Sequence, residues 1–109
     1  MAKKVLVIDD DADILELLIY NLEKEGYEVK SAANGLEGIE AAKQFMPDLI
    51  LMDIMMPIMD GIEAGKIIKK TEKLKHIHQT QLRLYNGTRH HLCSLLNGYN
   101  TRWTSAPGH

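Results

Sequence analysis

Residues Val5, Leu6, Val7 and Ile8 form an unbroken apolar run rich in β-branched side chains, the pattern of a parallel strand buried on both faces. Asp11 follows at an N-cap position, Asp13 adds negative charge to the first turn, and Ile14, Leu17, Leu18 and Leu22 recur at helical spacing. These predict an amphipathic helix that Gly26 stops. Tyr27 to Ala32 predicts a weaker strand with Tyr27 and Val29 on one face. Beyond the Asn34-Gly35 turn, Leu36, Ile39, Ala42 and Phe45 predict a second helix, ended by Pro47. Asp48 to Met52 reads as a third strand, continuously apolar from Leu49. Gly61 opens a third helix that carries Ile62, Ile67 and Ile68 and runs out into Lys69 and Lys70, where cations suit the helix dipole.

Strand, helix, strand, helix, strand, helix with short joints predicts an open α/β fold with right-handed crossovers over a parallel sheet. Ligands of such folds sit beyond the carboxyl ends of the strands, at the point where strand order reverses.

Composition agrees with one globular domain: 109 residues, 45% hydrophobic and 26% charged, with a formal charge of −2. That balance advertises no basic face for nucleic acid. Apolar runs such as Leu49 to Met52 are too short to span a bilayer, and Lys3-Lys4 is not followed by an apolar run leading to a cleavage site. With one cysteine, Cys93, no internal disulfide forms, so the expected location is the cytoplasm. The averages hide a break. All 15 acids, all ten lysines and all six methionines precede Ile77, whereas all three arginines (Arg83, Arg89, Arg102) follow it. The expected organisation is therefore a βαβαβα portion over residues 1–77 and an atypical tail over 78–109, which reads as a frame-shifted or foreign sequence.

At the strand ends stands a group of carboxylates. The first strand runs into Asp9 and Asp10, and the third ends in Asp53. If those strands are neighbours the three side chains converge, and their mutual repulsion calls for a cation. Mg²⁺ is the natural one, since it prefers oxygen ligands and is content with one or two carboxylates plus waters and phosphate oxygens. The plainer alternative is that Asp10 or Asp11 merely caps a helix and Asp53 is a loop acid.

The run Lys4-Val5-Leu6-Val7-Ile8-Asp9-Asp10, together with Asp48-Leu49-Ile50-Leu51-Met52-Asp53-Ile54-Met55-Met56-Pro57-Ile58-Met59-Asp60-Gly61, resembles the receiver domain of two-component response regulators. The resemblance covers residues 3 to about 77 and implies a flavodoxin-like sheet of order 2-1-3-4-5. It also implies a phosphoacceptor role for Asp53, with a sensor histidine kinase or phosphotransfer protein as donor. Mg²⁺ would be bound directly by Asp10 and Asp53, through water by Asp9, and by the backbone carbonyl of Met55. Any enzyme activity would be self-catalysed phosphoryl transfer and dephosphorylation. A haloacid-dehalogenase-like phosphatase is disfavoured, because Asp53-Ile54-Met55 lacks a second Asp two residues on.

The tail departs from that family. Receivers carry a Thr or Ser at the end of a fourth strand and a Lys at the end of a fifth, both contacting the phosphoryl group. Here the matching positions fall near Arg83 and Ser105, and no Lys follows Lys75. Gln79 to Tyr85 reads as an edge strand, Leu92, Leu95 and Leu96 as a short helix, and Trp103 to His109 as a disordered end. The pairs His76 with His78 and His90 with His91 read as solvated histidines. A second function class thus stands beside the phosphoacceptor: a switch-defective scaffold acting as an interaction module. Weak fourth and fifth strands would leave the third with an open apolar edge, which predicts a homo-oligomer formed by edge pairing or a strand swap.

Overall fold

The computed structural model describes residues 3–54, 56 and 58–82. Seven elements follow one another: β1 (Lys4–Ile8), α1 (Ala12–Lys24), β2 (Glu28–Ala32), α2 (Gly35–Phe45), β3 (Leu49–Asp53), α3 (Gly61–Lys70) and β4 (His78–Leu82). The sheet order is β2-β1-β3-β4, and all three pairings are parallel. This is the flavodoxin-like α/β architecture expected from the sequence.

Each helix begins at a polar cap. The Asp11 carboxylate accepts from the amides of Asp13 and Ile14, and the Asn34 side chain accepts from the Glu37 amide. Asp60 does the same for α3, its carboxylate accepting from the Glu63 amide at 2.8 Å. Each bond satisfies a donor that a helix start leaves without a partner. Gly26 follows α1 with φ 95°, a left-handed conformation that costs glycine nothing.

Alternation along β1 sorts the core into two layers. Val5 and Val7 pack with Ile14, Leu18 and Leu22 of α1 and with Leu49 and Leu51. Leu6 and Ile8 pack on the other side with Ile39 and Ala42 of α2, Ala64 and Ile68 of α3, and Ile50 and Met52. Val5 to Ile8 and Leu49 to Met52 are at most 1% exposed, so the two unbroken apolar runs are the central strands, buried on both faces.

The expected open edge on the third strand does not occur. β4 lies along β3, pairing Leu49 with His78, Leu51 with Thr80 and Asp53 with Leu82. A polar stretch, His-Gln-Thr-Gln-Leu, fills this place because the ladder is made by backbone groups. The connection from α3 is anchored by Leu74 and Ile77, both buried in the α2–α3 layer. Assembly through an uncovered β3 edge is thereby excluded. Residues 83–85 of the expected edge strand, the short helix at Leu92 to Leu96 and the end from Trp103 all lie outside the described residues.

Candidate functional site

Parallel pairing of β1 with β3 sets Ile8 beside Met52, so the next residues along, Asp9 and Asp53, emerge side by side at the carboxyl rim. Asp10 follows directly. Ligand oxygens of Asp9, Asp10 and Asp53 all lie within 4.8 Å of one another. Asp9 and Asp53 are buried, at 1% and 6% exposure, while Asp10 faces solvent. The plainer alternative for the acidic run applies only to Asp11, whose carboxylate is committed to the start of α1.

Asp9 carries the electrostatic tension. Its Oδ1 accepts from the Asp11 amide at 2.9 Å, but its Oδ2 is buried with no hydrogen-bond partner among the described residues. An orphaned carboxylate oxygen is expensive to keep charged. Burial pushes the Asp9 carboxyl up to about 7, with the negative charges of Asp53 and Asp10 adding to the rise and the Asp11 amide opposing it. A divalent cation would relieve this repulsion and give Oδ2 a partner. The residues present therefore fit Mg²⁺: oxygen donors only, two of them buried and one at the solvent edge.

Behind the site the loop from β3 to α3 is drawn in tightly. The Gly61 amide donates to the Ile54 carbonyl at 3.3 Å, and a Cβ on Gly61 would overlap the Asp53 carbonyl oxygen. Ile58 in that loop has φ 69° and is 78% exposed; a β-branched residue there is strained. Nothing in the sequence marks it, since Gly or Asn is the usual occupant. Met55 and Pro57 lie outside the described residues, as do His90, His91 and Cys93. His76 is exposed and His78 half-buried. Among the described residues, Asp9, Asp10 and Asp53 form the sole group of three side chains able to share a metal ion.

The family model described as "Response regulator receiver domain" matches residues 5–86, which covers both strand-end carboxylate positions and β4. The chain belongs to the response regulator receiver family. It is 47% identical over 77 residues to the chemotaxis protein CheY of Halobacterium salinarum, an alignment covering 71% of this chain and 64% of that protein. It is also 47% identical over 70 residues to the alkaline phosphatase synthesis transcriptional regulatory protein PhoP of Bacillus subtilis, covering 64% of this chain and 29% of that one. The receiver thus spans less than two thirds of either relative. In fold it is similar to Vibrio cholerae chemotaxis protein CheY4, with TM-score 0.81 at 24% identity, covering 90% of this chain and 98% of that one. No helix among the described residues of this receiver is long and apolar enough to cross a membrane.

Proposed function

We propose that this receiver takes a phosphoryl group from the phosphohistidine of a sensor kinase or phosphotransfer protein onto Asp53. The observation that carries this reading is the pairing of two buried carboxylates on adjacent strands with the exposed Asp10 at the rim. An oxygen of Asp53 attacks phosphorus, the phosphorus–nitrogen bond breaks, and the imidazole leaves with its electron pair and takes up a proton. Asp53 ends a strand buried on both faces, so its carboxylate is held in place before attack. Asp10 and Asp53 would hold Mg²⁺ directly and Asp9 through water, and the backbone carbonyl of Met55 would complete the protein ligands. The ion supplies charge neutralisation for the phosphoryl oxygens. The reading includes a cytoplasmic location, where kinase and receiver meet.

The test is incubation with a small phosphodonor and Mg²⁺, followed by mass spectrometry. One phosphoryl group per chain, mapped to Asp53 and lost in Asp53→Asn, supports the reading. Labelling elsewhere, or none over hours with Mg²⁺ present, would overturn it.

A further inference from the structure

β2 is an edge strand: among the described residues it pairs with β1 alone. The Glu28 amide donates to the Lys3 carbonyl and the Ala32 carbonyl accepts from the Asp9 amide, so Glu28, Lys30 and Ala32 direct their backbone groups toward β1. By the alternation of a parallel ladder, Val29 and Ser31 direct theirs outward. Edge strands commonly carry charge to discourage pairing. Here the two charges have opposite signs and sit two residues apart, on the same face of the strand.

That spacing makes one pairing with a second copy self-complementary. An antiparallel two-fold centred on Val29 sets Val29 against its own symmetry mate as the hydrogen-bonded pair, which uses the outward-facing backbone groups. Glu28 then stands opposite Lys30 of the other copy, twice over, at non-hydrogen-bonded positions where cross-strand side chains lie closest. Shifting the centre by one residue either way opposes Glu28 to itself or Lys30 to itself, which like-charge repulsion disfavours. Both side chains are exposed and neither has an ion-pair partner among the described residues. Lys4, the neighbour of Glu28 on β1, is turned away onto the ring and carbonyl of Phe45.

The flanks of the edge are open, and on both of them apolar side chains stand among acidic ones. On the α1 side a groove of about 770 Å³ is lined by Leu15, Ile19, Tyr20 and Ser31. On the α2 side a hollow of about 480 Å³ is lined by Leu36, Ala41 and Ser31 together with Glu37, Glu40 and Gln44. Tyr20 and Leu36 are 63% and 53% exposed, and a strand added to β2 would cover both flanks. We infer that two copies of this chain associate through antiparallel pairing of their β2 edges, joining two four-stranded sheets into one, with Glu28 and Lys30 setting the register.

Sedimentation equilibrium on the full chain tests this through charge exchange. The wild type should form a dimer between micromolar and submillimolar concentration. Glu28→Lys and Lys30→Glu each oppose like charges twice and should weaken dimerisation roughly tenfold or more. The exchanged variant carrying both substitutions should regain it, and a mixture of the two single variants should form the hetero-pair in preference to either homodimer. Circular dichroism should be unchanged, since both positions are exposed. A wild type that stays monomeric at submillimolar concentration overturns the inference. So does a dimer indifferent to both single reversals, or one that the exchange fails to restore.

Discussion

Gly61 lies against the backbone of Asp53, so closely that a Cβ at position 61 would overlap the Asp53 carbonyl oxygen and crowd the Ile54 Cα at 2.9 Å. The obstacle is main chain on a central strand, which cannot swing aside as a side-chain end can. Gly61→Ala should therefore destabilise the fold by about 1–3 kcal/mol despite alanine's better helix propensity. Thermal unfolding measures this. A variant as stable as the wild type would show that the β3–α3 loop shifts freely.

Asp9 gives the metal-free protein a distinctive pH dependence. Its carboxyl is raised from 3.8 to about 7, so between those values the folded state holds a proton that the unfolded state releases. Its contribution to stability is full below the lower value and is lost as the pH rises through the upper one, amounting to a few kcal/mol. Asp9→Asn removes the titration. Denaturant unfolding in chelator should show the variant gaining on the wild type as pH increases toward 8, with the difference shrinking toward pH 4. Parallel curves would mean that the Asp9 carboxylate finds a compensating partner.

The central strands were legible because residues buried on both faces must be apolar without interruption, as at Val5 to Ile8 and Leu49 to Met52. The first helix was legible through Asp11, a side chain that is both a sequence signal and the structural cap, whereas Asn34 reads as a turn residue and proves to be the cap of the second. β4 was harder to read. Its residues His78 to Leu82 are mostly polar, and what fixes them is backbone pairing with β3 and the buried anchors Leu74 and Ile77. The alternation over Gln79 to Tyr85 marks an edge strand but not its partner, and so an open β3 edge was expected where none exists. At the site, strand ends brought Asp9, Asp10 and Asp53 into view from sequence alone. Which oxygen lacks a partner depends on the turn that commits one face of Asp9 to the Asp11 amide. Spacing does not encode that.

Mg²⁺ should stabilise the fold, and Asp10 should be needed for it. An ion that binds only the folded state at ten times its dissociation constant adds roughly 1.4 kcal/mol. Asp10 is exposed, so Asp10→Asn disturbs little packing while removing a ligand and one of the repelling charges. The variant should match or exceed the wild type in chelator and lose most of the Mg²⁺-induced rise in melting temperature. An undiminished rise would remove Asp10 from the metal site.

Phosphorylation of Asp53 should be slow. The resemblance to receivers implies a Lys and a Thr or Ser hydroxyl around the phosphoryl oxygens, but no Lys follows Lys75 in this sequence. β4 pairs Leu82 with Asp53 and Thr80 with Leu51, so the Thr80 backbone sits two residues back from the carboxyl rim, about 6–7 Å along the strand. Missing one preorganised charge contact typically costs a hundredfold or more in rate. With the same small phosphodonor and saturating Mg²⁺, labelling should therefore run at least about a hundredfold slower than in a receiver that carries both the lysine and the hydroxyl. Asp53→Asn supplies the background. Equal rates in the two proteins would mean that another cation of this chain, with Arg83 the first to test by substitution, neutralises the phosphoryl group in place of the lysine.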